Sequence, residues 1–204
     1  MTLEEIGTKY GTLKVQHGFM PIYERFFEPL RDKPISLLEI GVHEGASIRT
    51  WREYFPSAQI IGVDKCITKV ASSLYSDGCI MIMADASSSE FGQSDWIRDH
   101  KFNVVIDDGS HIQSEVMASF LGLWDSVKPG GWYVVEDLFA AYDKTWNPDG
   151  HPFIDHIQGR LKNILIGGDS IQEVHWFGRN DINGILFLRK RYEDFRIQPL
   201  SEFQ

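Results

Sequence analysis

The chain of 204 residues has little cysteine and no long apolar run, and both shortages narrow its class. Two cysteines, Cys66 and Cys79, are too few for a disulfide framework or a zinc set, so we expect reduced thiols. No stretch approaches the roughly 20 apolar residues of a membrane-spanning helix. The first residues, 1–5, lack the basic start and the apolar run of a signal peptide. We therefore expect a cytoplasmic globular protein without a membrane partner.

Positive charge is also scarce. The chain has 20 Lys and Arg against 29 Asp and Glu, a formal net charge of −9, and its longest basic cluster is 189–191. DNA and RNA require a positive footprint, so this balance argues against a nucleic-acid partner. A hydrophobic content of 43% fits one globular domain of ordinary size. We predict a single domain over 1–204, with an N-terminal arm and helix (1–34), a core (35–190) and a tail (191–204).

Apolar, β-branched runs alternate with helical stretches along most of the chain, which is typical of an α/β sheet with right-handed crossovers. The predicted strands are 35–40, 59–64, 79–85, the runs that end at Asp107 and Glu136, 171–177 and 182–188. The last two flank the turn Gly178–Asp181, which predicts a hairpin. Residues Ile6–His17, rich in Gly, Thr and Lys, predict an irregular arm before a helix over 20–30. The expected fold is a Rossmann-like, doubly wound, mostly parallel seven-stranded sheet with an antiparallel C-terminal hairpin strand.

Two of these strands stop abruptly at pairs of carboxylates, Asp107 with Asp108 and Glu136 with Asp137. If the strands are neighbours in a parallel sheet, their ends lie about 4.7–4.9 Å apart. Like charges that close cannot all stay ionised without a cation or a raised pKa. Carboxylate oxygens without a nearby cysteine favour a hard ion such as Mg²⁺. The pattern therefore predicts a metal site, with capping of the following helices or loops as the alternative.

The first strand-to-helix turn, 37–45, lies where ligands bind in an open α/β sheet. Gly41 permits a tight turn and close approach to a ligand, and Gly45 lets the helix start near the sheet. The full G-x-G-x-x-G fingerprint is absent, and Glu44 would put negative charge where a pyrophosphate should lie. A phosphate-free cofactor with an adenosine and an amino-acid end, such as S-adenosylmethionine, fits better.

Single acids end the next two predicted strands. Asp64 is suited to accept hydrogen bonds from ribose hydroxyls, as an acid at that position does in nucleotide-binding sheets. Asp85, at the end of the third strand, is suited to flank the adenine. Capping is an alternative for each acid alone. Their shared position at successive strand ends favours function.

The order of these motifs resembles the class I S-adenosylmethionine-dependent methyltransferases. More narrowly, it resembles the metal-dependent sugar O-methyltransferases of macrolide biosynthesis. The motifs that carry the resemblance are Glu39–Gly41 with Gly45, Gly62–Asp64, Ala84–Asp85, Val105–His111, Lys128–Gly131 and Val135–Leu138. The Asp-Asp-Gly-Ser-His run together with Glu-Asp is the specific part of this set.

The resemblance implies particular roles for these residues. It implies that Asp108, Glu136 and Asp137 bind Mg²⁺ and that His111 acts as the base. It implies further that the cofactor pocket is lined by Glu39, Gly41, Asp64 and Asp85, and we add Gly45 and Asp107 to that prediction. The implied reaction is methyl transfer from S-adenosylmethionine to a hydroxyl of a small molecule, such as a sugar or glycosylated natural product. A homo-oligomer is expected.

Three alternatives stay open: a metal-independent small-molecule methyltransferase, an NAD-linked oxidoreductase on a similar sheet, and a binding module without chemistry. The missing third glycine and Glu44 count against the oxidoreductase. Intact acids and His111 count against the binding module. Tyr142 and Trp146, on the loop after the second carboxylate pair, either close over the acceptor or simply anchor the loop.

Overall fold

The computed structural model of the chain describes residues 1–178 and 183–192, apart from the side chain of Val70. Its strands are β1 Ser36–Ile40, β2 Gln59–Asp64, β3 Ile80–Met83, β4 Phe102–Asp107, β5 Val127–Val135, β6 Ile171–Gly178 and β7 Gly184–Lys190. They form one seven-stranded sheet in the order β3-β2-β1-β4-β5-β7-β6. Strands β1 to β5 run parallel, and β7 is antiparallel to both β5 and β6. The predicted sheet is confirmed. Residues 179–181 of the predicted hairpin turn and the tail from 193 lie outside the described residues.

Helices connect the strands and cover the sheet. They are α1 Leu3–Tyr10, α2 Leu13–Gln16, α3 Met20–Phe27, α4 Ala46–Tyr54, α5 Lys69–Ser72, α6 Ser89–Gly92, α7 Asp95–Asp99, α8 Gln113–Leu123 and α9 Phe153–Leu165. Single 3₁₀ turns lie at Glu28–Leu30, Ser73–Tyr75, Trp124–Ser126 and Leu138–Tyr142. None of the helices in the described ranges combines the length and apolarity needed to cross a bilayer.

The prediction of an irregular arm over Ile6–His17 was wrong, because α1 and α2 occupy most of it. A reciprocal capping box starts α1: the Thr2 hydroxyl accepts from the Glu5 amide, and the Glu5 carboxylate accepts from the Thr2 amide. Leu3 and Ile6 bury one face of the helix against the domain. Capping and burial together outweigh the poor helix propensity of the local composition.

Two apolar cores lie on opposite faces of the sheet, as strand alternation requires. Leu37 belongs to the core beneath α1, α3 and α4, and its neighbour Leu38 to the core beneath α8 and α9. The predicted turn Lys128–Gly131 instead lies within β5, where the register between β4 and β5 shifts. The shift accommodates the glycines inside a paired strand.

Strand order reverses between β1 and β4, which in open α/β sheets marks the ligand crevice. Ile40 pairs with Asp107 across that gap, and Asp107 pairs with Val135 on the other side. The Glu136 amide also donates to the Asp107 carbonyl at 3.0 Å. The two carboxylate pairs therefore follow adjacent strands, as expected from the sequence.

Candidate active site

A cavity of about 980 Å³ opens at the carboxyl ends of β1, β2, β4 and β5. Ligand pockets in proteins run to roughly 300–1,000 Å³, so this one is large enough for a cofactor and a small second molecule. Its walls include eight of the predicted site residues: Gly41, Asp64, Asp85, Asp107, Asp108, His111, Glu136 and Asp137. Glu39 and Gly45 are not among its lining residues.

Asp64 holds the first strand-to-helix turn in place. Its Oδ2 accepts from the Val42 amide at 2.8 Å and from the His43 amide at 3.1 Å, and its Oδ1 accepts from the Cys66 amide at 3.0 Å. Gly41 in the same turn has φ +89°, and a Cβ there would lie 1.9 Å from the Asp108 carbonyl oxygen. Glycine is therefore required at 41 both for conformation and for space.

Asp85 lies at the far end of the cavity. Its Oδ1 accepts from the Ser87 amide at 3.0 Å and from the Ser87 hydroxyl at 2.6 Å, and Lys65 Nζ lies 3.2 Å from its Oδ2. The Ser87 hydroxyl is the main cause of a lowered pKa at Asp85. The carboxylate is thus held ionised and facing the cavity.

Asp107 differs from the other strand-end carboxylates because its side chain is buried beside Tyr133. The Tyr133 hydroxyl donates to Asp107 Oδ2 at 3.2 Å, and the Gly109 amide donates to Oδ1 at 3.4 Å. Burial raises the pKa of Asp107 to about 7. Asp107 belongs to neither of the two close groups of ligand atoms at this end of the cavity.

These two groups of potential ligand atoms share Asp108, and each has its atoms within 4.8 Å of one another. We call Glu39, Asp108 and Glu136 the inner set, and Asp108, His111 and Asp137 the outer set. The inner set is the more buried of the two. The predicted metal ligands Asp108, Glu136 and Asp137 therefore come together, but Glu136 and Asp137 lie in different sets.

Lys14 lies against the inner set and was missed by sequence reasoning. Its ammonium donates to Glu136 Oε1 at 2.6 Å and to Asp108 Oδ2, and lies 3.2 Å from Glu39 Oε1. Burial acts to lower the pKa of Lys14, but Asp108, Glu136 and Glu39 more than offset it and raise the pKa well above its ordinary value. The Tyr23 hydroxyl donates to the same Glu136 oxygen. One sequence pattern could have indicated that the N-terminal arm carrying Lys14 is helical: the capping box formed by Thr2 and Glu5 at the start of α1.

Three buried carboxylate oxygens of the two sets have no hydrogen-bond partner, Glu39 Oε1, Glu136 Oε2 and Asp137 Oδ1, and of these Glu39 Oε1 lies 3.2 Å from the Lys14 ammonium. Burial raises the pKa of both Glu136 and Asp137, well above the ordinary value for Glu136. Burial likewise raises the pKa of Glu39. Unsatisfied buried acceptors are costly, so these oxygens mark a place that a cation would stabilise.

Strained backbone concentrates around this cavity. Within the described residues, His43, His111 and Asp137 are the non-glycine residues with positive φ, at 48°, 60° and 54°. All three line the cavity. Such conformations cost about 1–3 kcal/mol each and persist where the surroundings impose them, commonly at ligand sites.

His111 reaches Asp137 from the end of the loop between β4 and α8. Its Nε2 lies 3.5 Å from Asp137 Oδ2, and its ring meets that of Trp146 edge-on at 6.0 Å. His17, on the N-terminal arm, lies on the other side, with Nδ1 3.7 Å from Asp137 Oδ1. Tyr142 is 75% exposed and is not among the cavity-lining residues. Trp146 is not among the cavity-lining residues either, and of the two loop aromatics it is the one whose ring contacts a predicted site residue, His111.

Comparison with known proteins agrees with the family resemblance expected from the sequence. No family model matches the chain. It is 38% identical over 149 residues to mycinamicin VI 2''-O-methyltransferase of Micromonospora griseorubida, covering 69% of this chain and 37% of that protein. It is 34% identical over 190 residues to demethylmacrocin O-methyltransferase of Streptomyces fradiae, covering 84% and 44%. The chain spans less than half the length of these two relatives.

Solved structures extend the similarity to nearly the whole chain. The mycinamycin-pathway methyltransferase MycE, in complex with Mg, SAH and mycinamycin VI, superposes with a TM-score of 0.82 at 29% identity, covering 98% of this chain and 57% of MycE. The expected resemblance to sugar O-methyltransferases is confirmed.

Proposed function

We propose that this chain is an S-adenosylmethionine-dependent O-methyltransferase that uses Mg²⁺ to methylate a hydroxyl of a small molecule. One observation carries the proposal: a single cavity joins the glycine turn at Gly41 to the carboxylates of Asp108, Glu136 and Asp137. The names of the relatives support O-methyl transfer as the reaction. The MycE complex with Mg and SAH supports a metal ion and an S-adenosylmethionine-type cofactor as ligands.

The residues present fit a divalent ion. Asp108, Glu136 and Asp137 would hold it, since two of them have buried oxygens without a hydrogen-bond partner. The cluster contains four carboxylates, those of Glu39, Asp108, Glu136 and Asp137, and the Lys14 ammonium pairs with the first three, so three negative charges would stay uncompensated if all four were ionised. The ligand atoms that Asp108, Glu136 and Asp137 offer are carboxylate oxygens, the ligands that Mg²⁺ prefers. A divalent ion would therefore balance most of this charge.

The other end of the cavity fits the cofactor. Gly41 lines the cavity there, Asp64 is the last residue of β2, and Asp85 follows the end of β3 by two residues. Asp64 Oδ1 accepts the Cys66 amide and keeps a second lone pair for a ribose hydroxyl. We propose that Glu39 and Gly45 support this end from behind the cavity wall, and that buried Asp107 fixes the floor between the two ends.

Bound at these carboxylates, Mg²⁺ would supply Lewis acidity that lowers the pKa of the acceptor hydroxyl. His111 then accepts the hydroxyl proton on its imidazole as the acceptor oxygen forms a bond to the methyl carbon and the carbon–sulfur bond breaks. Asp137 Oδ2, 3.5 Å from His111 Nε2, stabilises the imidazolium that results. Trp146 restricts the orientation of the imidazole by its edge-on contact. General base catalysis of this kind contributes about 10²–10⁴-fold.

The acceptor in this proposal is a sugar or a glycosylated natural product. The relatives support it, because their names include L-olivosyl-oleandolide 3-O-methyltransferase of Streptomyces antibioticus. We further propose that the described residues form one domain, that the protein acts in the cytoplasm and that it works as a homo-oligomer without nucleic acid. Light scattering on the purified chain tests the oligomeric state.

The direct test is calorimetric titration of EDTA-stripped protein with S-adenosylmethionine and then with Mg²⁺. We expect both to bind the wild type, and the Mg²⁺ signal to vanish in Asp108→Asn. Asp125→Asn is the matched control, because Asp125 is 99% exposed and not among the residues lining this cavity. His111→Ala should keep the Mg²⁺ signal and lose methyl transfer. Loss of Mg²⁺ binding in that variant would make His111 a ligand and not the base.

One observation favours a second candidate, a metal-independent methyltransferase on the same fold. Lys14 already supplies a cation to the inner set, with two hydrogen bonds to its carboxylates. In that case the acids position the acceptor and His111 alone removes the proton. Methyl transfer that persists in EDTA, to a panel of sugars and glycosides, would favour this candidate over the Mg²⁺-dependent one.

A further inference from the structure

Lys14 occupies a position that could otherwise hold a metal ion. The inner set of Glu39, Asp108 and Glu136 brings three carboxylate oxygens within 4.8 Å of one another, close enough to bind one cation. The Lys14 ammonium contacts all three carboxylates, with the longest separation, to Glu39 Oε1, at 3.2 Å. The inner set therefore already has a cation, provided by the chain itself.

The surroundings of Lys14 are built to keep it there. It is 2% exposed and is the one buried lysine within the described part of the chain. The Thr12 hydroxyl caps the turn that carries it by accepting from the Lys14 amide at 3.4 Å, and the Lys14 carbonyl accepts from the Phe19 amide at 2.9 Å. The backbone on both sides is thus fixed before the side chain enters the site.

The contacts of Glu136 are divided between its two oxygens. Oε1 accepts from both Lys14 and Tyr23, whereas the buried Oε2 has no hydrogen-bond partner. Asp108 accepts from Lys14 through Oδ2 and is also a member of the outer set with His111 and Asp137. The ammonium therefore holds the inner oxygens and leaves Glu136 Oε2 and the outer set for another ligand.

We propose that Lys14 is a positioning residue: its ammonium permanently fills the inner cation position and confines the protein to one divalent ion, on the side of Asp137. The proposal rests on the Mg²⁺-binding function proposed above. A covalently attached cation stays in the site at any metal concentration. It fixes the rotation of Asp108 and Glu136 before the divalent ion arrives, and it excludes a second ion from the inner set by charge repulsion.

Counting bound Mn²⁺ by electron paramagnetic resonance tests this directly. We expect one Mn²⁺ per chain in the wild type and two in Lys14→Met, where the inner set is free to bind an ion. Adding Glu39→Gln to Lys14→Met should return the count to one, and Lys14→Arg should also bind one. Lys9→Met is the matched control, because Lys9 lies on the same arm and pairs with Glu53 at 2.5 Å, outside both sets.

The outcomes separate the two proposals. A wild type that binds no Mn²⁺ overturns the metal-dependent function and, with it, the role of Lys14 in metal binding. If the wild type and Lys14→Met both bind one Mn²⁺, at whatever affinity, or if the wild type binds two, only the role of Lys14 is overturned.

A measurement on the wild type covers the case in which Lys14→Met does not fold. The buried Lys14 ammonium should give a nitrogen-15 NMR signal whose protons exchange slowly with water. Exposed lysines give no such signal, and it should be absent from the spectrum of Lys14→Arg. We expect it to persist, shifted, when Mg²⁺ is added to saturation. Its disappearance on Mg²⁺ binding would show that the ion displaces the ammonium, and the proposal would be wrong.

Discussion

The Val42 amide donates a 2.8 Å hydrogen bond to Asp64 Oδ2, which ties the turn after β1 to the end of β2. The same carboxylate oxygen accepts the His43 amide, whose residue has a positive φ. Asp64 thus holds a strained turn in the conformation that faces the cavity. Its role in shaping the turn exists before any cofactor binds.

We predict that Asp64→Ala weakens S-adenosylmethionine binding by about 10- to 100-fold, because hydrogen bonds to a charged acceptor contribute roughly 1.5–3 kcal/mol. Isothermal titration calorimetry measures the effect. Asp77→Ala is the control, since Asp77 is exposed and does not line the cavity. Unchanged affinity in Asp64→Ala would mean that the turn keeps its shape without the carboxylate.

Gly41→Ala should disrupt both ends of the cavity. Its Cβ would lie 1.9 Å from the Asp108 carbonyl oxygen, so the strand end that carries Asp108 must move. We expect loss of cofactor and of Mn²⁺ binding, with a lower midpoint of urea unfolding.

Gly11→Ala separates backbone strain from this steric conflict. Gly11 has φ +72°, but a Cβ added there would meet no atom within 4 Å, so only the left-handed conformation is penalised, by about 1–2 kcal/mol. Equal losses in both variants would contradict the steric explanation for Gly41.

The sheet could be predicted from the sequence because each central strand is a local apolar run. The carboxylate pairs at 107–108 and 136–137 end two such runs, and adjacency of parallel strands then brings them together. Lys14 could not be predicted in this way. It lies on a helix of four residues and reaches Glu136 across 122 positions of sequence. Such a contact depends on how the arm packs, which local patterns do not encode.

The sequence pair Asp107-Asp108 also did not predict that its two side chains lie in different environments. Adjacent strand residues face opposite sides of a sheet, and Asp107 ends β4 on the side of Tyr133. Asp108 follows the strand and turns toward Lys14. The doublet thus divides into one carboxyl buried beside Tyr133 and one carboxylate that belongs to the inner and outer sets, a division that depends on the strand register.

Gly159→Ala should stabilise the protein. Gly159 lies in the middle of α9, is exposed, and has no neighbouring atom within 4 Å of an added Cβ. Alanine lowers the conformational entropy of the unfolded chain without a new clash, which contributes about 0.5–1 kcal/mol. We expect thermal unfolding to shift upward by roughly 1–4 °C in a domain of this size. A lower melting temperature would mean that the helix is distorted at this position.

Asp169 and Arg160 form a two-point ion pair that should set part of the acid sensitivity of the fold. Arg160 Nε donates to Asp169 Oδ2 at 2.9 Å and Nη2 donates to Oδ1 at 2.6 Å, while the Ile171 amide donates to Oδ1 at 2.8 Å. Burial acts to raise the pKa of Asp169, but these hydrogen bonds and the charge of Arg160 offset it and leave the pKa lowered.

Because the folded pKa of Asp169 is below its unfolded value, the pair stabilises the fold above the ordinary aspartate pKa near 3.8, and that stability is lost as pH falls through the folded pKa. Asp169→Asn should therefore cost about 1–3 kcal/mol at pH 7, and the difference from the wild type should narrow below pH 4. Urea unfolding at several pH values measures it. Asp95→Asn, which removes an exposed pair with Arg98, should change stability little at any pH. A deficit in Asp169→Asn that stayed constant from pH 7 to pH 3 would mean that packing around residue 169, and not the ion pair, stabilises this part of the fold.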